Sequence, residues 1–336
     1  MKNRIIFGIG LLLLIVLFLT GLLFGSVNIR LSELLDLITG HSILSTNETI
    51  IMQILLPRTL TAIISGSGLA LSGLLLQTLF RNPLAGPSIL GISSGSGLGV
   101  AIVLLAGGSM TGILGTGAVI LGAVIGALVV LLLIAIISLK FEDVTLVLVA
   151  GLMLGFLSSS LVSILAFFSS SEELRPFIHW GFGSFSRLNP FQLPILGIAL
   201  FTVILFTLFL YKPLNALLPG ENFARSIGID IKKSRIFIIA LTGILTGIIT
   251  AFTGPIGFIG LAVPQVVKLI FKTNHHRVTI AGSLLFGAVA ALGCDIISRV
   301  PGQDYSLPLN AVTALFGAPV VLIVLFRSGN VKRILS

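Results

Sequence analysis

Apolar stretches about as long as a bilayer is thick recur along this chain, and charge is confined to short segments between them. A hydrocarbon core about 30 Å across needs about 20 apolar residues in a helix. Ten stretches reach or approach that length: Ile5–Gly25, Arg58–Phe80, Ser88–Gly107, Thr111–Leu139, Val144–Phe168, Phe191–Tyr211, Ile236–Phe252, Phe258–Phe271, Thr279–Arg299 and Leu307–Phe326. The eighth is short and includes Pro264. Only 9% of the 336 residues are charged, against about 25% in a soluble domain. The chain therefore reads as an all-α polytopic membrane protein, one domain over residues 1–336. Its first stretch follows Lys2 and Arg4 as a signal peptide would, but it runs too far and lacks a small-residue cleavage site, so it reads as an uncleaved span.

Charge sets the orientation. With the N-terminus inside, the cytoplasmic segments and span ends hold 15 of the 20 Lys and Arg, and Arg30, Arg58, Arg175, Arg187 and Arg299 lie outside. That asymmetry satisfies the positive-inside rule with ten crossings and both termini cytoplasmic. Between the sixth and seventh spans lies KPLNALLPGENFARSIGIDIKKSR, Lys212 to Arg235, with five of those cations. It reads as a cytoplasmic helical insert that a soluble partner could grip. Two irregular segments, RNPLAGPSILG (Arg81–Gly91) and TGPIGFIGLAVP (Thr253–Pro264), fall on opposite sides of the membrane. Paired breaks of this kind are expected from an inverted repeat of spans 2–5 and 7–10, with two ordinary turns as the alternative.

Motifs for chemistry are sparse. No GxxxxGK[ST] phosphate loop occurs, so the chain does not bind ATP in that manner. A single Cys294 and four His offer no metal-site scaffold, and no Ser/His/Asp grouping is discernible. Gly151, Gly155, Ser159 and Ser163 form a stripe of small residues along the fifth span, suited to tight packing or to lining a polar path. Gly122 and Gly126 form a similar pair, read as packing. Arg58, just after Pro57 at the start of its span, opposes the helix macrodipole and needs lipid phosphate or an acidic partner. Asp295 and Arg299 stand at i and i+4, an intrahelical pair whose carboxylate should face protein or water. Trp180 and nearby Phe177, Phe182 and Phe185 read as interfacial anchors, with contact to an apolar ligand as the alternative.

LPRTLTAIISGSGLALSGLLLQTLFRNPLAGPSILGISSGSGLG (Leu56–Gly99), GPIGFIGLAVPQVVKLI (Gly254–Ile270) and LPLNAVTALFGAPVVLIVL (Leu307–Leu325) resemble, in order, three signatures of the FecCD-type permeases. These are the membrane subunits of type II ABC importers for ferric siderophores, haem and vitamin B12. The resemblance implies ten helices per subunit and a second permease copy forming a homodimer around a central path. It further implies two cytoplasmic ATPase subunits, an extracytoplasmic substrate-binding protein and a bacterial cytoplasmic membrane, with no nucleic acid among the partners. No cofactor is expected in this chain; ATP and Mg belong to the ATPase.

Position by position, the resemblance puts an inner gate at Asn82 and Leu84 and a second at Val144 and Thr145. Val144 departs from the two hydroxyl residues that members can have there. Arg58 and Arg299 match arginines that dock the binding protein, while Leu55 stands where some members have another. GENFARSIGI (Gly220–Ile229) resembles the coupling motif, which assigns ATPase contact to Glu221, Ala224, Arg225 and Gly228. The Gly151–Ser163 stripe becomes a path lining. The expected function is an importer permease without enzymatic activity, with a ferric siderophore as first choice of cargo and haem or cobalamin as alternatives. The rival class, an ion-coupled secondary transporter, needs intramembrane carboxylates, and Asp295 alone lies well inside a span.

Overall fold

The structure, a computed structural model, describes residues 2–23, 29, 33, 45–106, 113–141, 143–299 and 306–327. Gly25, Arg30, Gly107, Thr111, Lys332 and Arg333, used above for span ends or charge, lie outside the described residues. Helix α1 is Lys2–Leu23. Helix α2, Ser45–Ile50, runs through a π-helical turn at Ile51–Leu55 into α3, Leu56–Leu79. Helix α4, Ile92–Ala101, ends in another π turn at Ile102–Ala106, and α5 is Ile113–Lys140. Then follow α6 (Val144–Phe168), α7 (Ser171–Gly181), α8 (Leu193–Leu217), α9 (Glu221–Ser226), α10 (Ile231–Thr253), α11 (Ile259–Phe271), α12 (His276–Ser298) and α13 (Leu309–Arg327). Among the described residues there is no strand.

Among the described residues seven helices are long and apolar enough to cross a membrane, and three shorter apolar ones, Ile92–Ala106, Ile259–Phe271 and Leu309–Val324, bring the total to ten. Polar contacts between helix ends respect the ten-crossing alternation. On the outer side Arg299 reaches Gly21 and Arg58 reaches Asp295; on the inner side His276 reaches Thr78 and Asn215. Helices α3 and α10 form the centre, with 83% and 72% of their apolar stretches buried, against 17% in α1 and α6. They pack on each other, and each reaches into the opposite half: α3 against α11 and α12, α10 against α4 and α5. Within each half the second helix packs on the third and fourth. This is the contact pattern of an inverted repeat.

The centre closes at small residues. A Cβ placed on Gly73 would lie 1.7 Å from the carbonyl oxygen of Gly260, so α3 and α11 touch backbone to backbone. Gly126 against Gly95 and Gly122 against Gly99 do the same for α4 and α5, so the pair read as packing does pack.

Three expectations are corrected. Arg58 does not open a helix: the helix begins upstream at Ser45, and the π turn admits the ring of Pro57, whose missing N–H would otherwise break the ladder. The macrodipole conflict therefore disappears. The third span starts at Ile92 because Gly91 caps it in the left-handed region, φ 73°, leaving Ser88–Leu90 as turn. The insert is shorter than Lys212–Arg235, since α8 continues past Pro213 to Leu217 and α10 already includes Arg235.

A test follows from the backbone contact. Gly73→Ala forces α3 from α11 and should cost about 1–3 kcal/mol, the usual range for overpacking. Gly197→Ala, where a Cβ meets nothing within 4 Å, should be neutral. Thermal unfolding of the two variants in detergent checks both outcomes.

Candidate functional site: an inner gate, a hydroxyl-lined cleft and an outer charge triad

Helix α9 is bounded by two glycines for backbone reasons. Gly220 sits at φ 136°, ψ 164°, a region essentially closed to other residues. Gly228 sits at φ 82° and closes a Schellman motif: its N–H donates to Arg225 carbonyl at 3.0 Å, and Ile229 N–H donates to Ala224 carbonyl at 3.0 Å. Ala224 is buried against the body, while Arg225 and the apolar Phe223 and Ile227 are exposed. The chain then enters α10 through Asp230, whose side chain accepts from Lys233 N–H at 3.0 Å. That hydrogen bond holds the Asp230 carboxyl below the usual carboxylate range.

A cytoplasmic groove brings Arg81, Asp143, Val144, Thr145, Gly220 and Glu221 together. One predicted gate thus lies beside the predicted coupling helix. Asp143 caps α6 by accepting from Thr145 N–H at 2.7 Å, which fixes Val144 and Thr145 at the helix start, the first half-buried and the second exposed. Asn82 and Leu84 are held apart from this groove in the adjoining turn. Asn82 Oδ1 accepts from Leu84 N–H at 2.9 Å, an Asx turn that sets the direction of both side chains. Behind the turn, Gln265 Nε2 donates to Gln77 Oε1 at 2.6 Å and to Pro83 carbonyl at 3.4 Å; Lys268 Nζ also donates to Gln77 Oε1, at 3.3 Å. The Asn82–Leu84 turn is therefore tethered to α3 and α11.

The small-residue stripe on α6 divides. A Cβ on Gly151 would come within 2.9 Å of Leu90 Cα, and Gly155 faces Gly91 Cα at 3.4 Å, so the inner half is packing. Ser159 and Ser163 instead line a cleft of about 480 Å³ with Ser88, Ser93, Ser94, Asn310 and Trp180. No ionisable side chain is among its described lining residues. Trp180 is only 6% exposed and stacks with Phe177 at 6.5 Å, while Phe185 is fully buried. The interfacial-anchor reading of Trp180 and Phe185 is thus overturned: both pack within protein, Trp180 at the cleft and Phe185 in the main core. Phe182 stays exposed. Arg187 secures this outer lid by donating to the last carbonyls of α7, those of His179 and Trp180. Burial pushes its guanidinium down to about 10, so it stays charged at neutral pH.

At the outer ends of α1, α3 and α12 a triad forms. Arg58 Nε donates to Asp295 Oδ1 at 2.9 Å, Arg299 Nη2 pairs with Asp295 Oδ2, and Arg299 Nη1 donates to Gly21 carbonyl at 2.7 Å. The side chains are 15%, 1% and 8% exposed for Arg58, Asp295 and Arg299. The compensating acid for Arg58 is thus supplied by this chain. Neither arginine projects freely from the rim, contrary to a picture of loose docking cations. Leu55 is buried among Leu22, Ile29 and Ile51.

Several participants were not singled out from the sequence. Asp143 could have been found as an N-cap before an apolar run, and the ISSGSG serines as a polar cluster after a helix-starting glycine. Arg81 and Asn310 carry no such local signal, because Gly220 and Gly257 are distant in the chain; Arg187 reaches carbonyls only seven and eight residues back, but no recognised motif marks it.

Comparison with known proteins agrees with this architecture. The FecCD transport family matches residues 13–327. The vitamin B12 import system permease protein BtuC of Salmonella typhimurium is 37% identical over 313 residues, covering 91% of this chain and 94% of that one; the Salmonella typhi protein matches equally. Among solved structures, a chain described as a metal-chelate type ABC transporter in an inward-facing conformation superposes with a TM-score of 0.84 at 30% identity, covering 96% of this chain and 99% of that chain. PsaBC from Streptococcus pneumoniae, at 20% identity and a TM-score of 0.56, covers 80% of this chain and shares the fold alone. The chain is a multi-pass permease that serves a separate ATPase and a binding protein and is not itself an enzyme; it belongs to the FecCD transport family.

Proposed function

We propose that this permease imports a bulky metal chelate, with a ferric siderophore as the first cargo and cobalamin as the second, across a bacterial cytoplasmic membrane. The observation that carries the cargo class is the cleft of serines, Asn310 and aromatic rings without an ionisable wall. Hydroxyls and an amide can follow the edges of a large ligand that offers hydrogen-bonding groups, and the rings offer apolar contact. The likeness to a metal-chelate type transporter supports the same class, and the 37% identity to a vitamin B12 permease specifically favours cobalamin as the second reading. Uptake into vesicles containing the complete importer, with labelled ferric hydroxamate, ferric catecholate, haem and cobalamin, tests the order. Saturable uptake of cobalamin alone rejects the siderophore.

In this reading two copies form a homodimer around the path, with Ser159 and Ser163 on its wall. Two ATPase subunits, which hold the ATP and Mg, engage exposed Arg225 and Gly228 on and beside α9, with exposed Phe223 and Ile227 as apolar contacts, while buried Ala224 and Glu221, which pairs with Arg235, seat the helix on the permease. Arg225→Glu should reduce stimulated ATP hydrolysis at least tenfold without loss of membrane insertion, read in reconstituted vesicles. Unchanged stimulation would count against α9 as the contact.

Asn82 and Leu84, with Val144 and Thr145, narrow the inner mouth. Leu84→Cys in a Cys294→Ala background should crosslink between copies in one nucleotide state and several-fold less in another. Equal crosslinking in both states would make the turn a rigid support.

The outer triad carries two cations and one anion, and we assign its excess positive charge to binding-protein docking. Arg58→Gln removes that excess. Association of the binding protein should slow several-fold at low salt and little at physiological salt, where screening acts over about 8 Å. If only thermal stability falls, the triad is a clamp between helices and not a docking surface.

A further inference from the structure

Arg235 is a buried cation whose described partners lie on two separate elements. It lies on the first turns of α10, and its side chain is 4% exposed. Its Nη2 donates to Glu221 Oε1 at 3.2 Å, and its Nη1 donates to Phe141 carbonyl at 3.1 Å. Glu221 is the first residue of α9. Phe141 follows the last residue of α5, where helix carbonyls lack intrahelical partners, and Asp143 two residues on caps α6 at the gate pair Val144 and Thr145. One planar guanidinium thus joins the exposed α9 to the hairpin that carries the gate. Among helices, α9 packs mainly on α8 and α10, which run straight into the bilayer.

The geometry points to Arg235 as the positioning residue that transmits displacement of α9 to Val144 and Thr145, acting through Glu221 and the Phe141 carbonyl. The inference rests on the proposed coupling of α9 to the ATPase. A buried charge cannot shed its partners without leaving ionised groups uncompensated, so when α9 moves, Arg235 and its partners move with it. The fork holds both bonds at once in fixed geometry; a lysine ammonium on a flexible stem would not. The groove beside the fork gives the same picture, because Gly220 comes close to Arg81, one residue before Asn82: a Cβ there would lie 3.4 Å from Arg81 Nη1. Both gate segments therefore border the N-terminal end of α9.

The test uses the complete importer, permease with ATPase and loaded binding protein, in nanodiscs and in vesicles. A reporter cysteine replaces exposed Leu146, next to the gate on α6, in a Cys294→Ala background. Four quantities are read: ATPase bound per permease, stimulated ATP hydrolysis, transport, and the nucleotide-dependent change in labelling at position 146. Glu221→Gln preserves shape, and Arg235→Met removes the fork. Both should retain ATPase binding and most of the hydrolysis while transport and the labelling change fall at least fivefold. Arg235→Lys, which keeps the charge but not the fork, should likewise retain binding without restoring the labelling change. A wild-type labelling change in Glu221→Gln and Arg235→Met overturns the proposal. So does a parallel loss of ATPase binding, hydrolysis and transport in both, which marks a merely structural pair. If the unaltered permease shows no ATPase binding or no labelling change, the coupling reading itself falls and this role falls with it.

Discussion

Lipid tails are as apolar as leucine, so burying leucine between helices in a bilayer gives little of the driving force it supplies in water. What holds this protein together is close backbone contact at small residues, and its centre depends on it. Gly73 against Gly260 and Gly66 against Gly287 let α3 lie directly on α11 and α12. A side chain at either crossing would separate the two halves and open the middle of the bundle. Because α3 and α10 each pack into the opposite half, neither half completes its own interior alone.

That interlocking makes the two breaks tolerable. Non-helical backbone at membrane depth survives only where protein or a water-filled cavity satisfies it. The segment after α10 meets this condition: Thr253 carbonyl accepts from Ser184 N–H at 2.7 Å, and Gly257 N–H donates to Asn310 Oδ1 at 3.0 Å. Phe258 holds a left-handed φ of 64°, and its side chain packs against Gly317 on α13, where no larger residue would fit. Gly91 plays the matching part before α4, against Gly151 and Gly155 on α6. Each half therefore starts its second helix at a residue of positive φ, Gly91 or Phe258, seated on a glycine of its fourth. The cleft opens between these two seats.

Much of this was legible in the sequence because it follows from local composition. Span number, orientation and the position of α9 follow from apolar runs, cation counts and the two motif glycines. Helix ends were less legible: the π turn before Pro57, the continuation of α8 past Pro213 and the late start of α4 depend on backbone geometry that no residue pattern announces. Least legible were charged residues whose partners are far along the chain. Arg58 and Asp295 are 237 positions apart, and Arg235 and Phe141 are 94 apart. Read singly they look like rim or insert charges; only the fold makes them a triad and a fork. The α6 stripe lies between these cases, since periodicity revealed the face but not where packing gives way to cleft.

The uncharged wall of the cleft has an electrical consequence. Transferring one elementary charge through 100 mV corresponds to about 2.3 kcal/mol. A wall without ionisable groups cannot neutralise a cargo's charge along the way, so the membrane potential acts on the cargo's own charge. With the cytoplasm negative, a cationic chelate would be drawn inward, whereas each negative charge on an anionic one would add that amount to the work required of ATP. The voltage dependence of uptake would then report the net charge of whatever the permease carries.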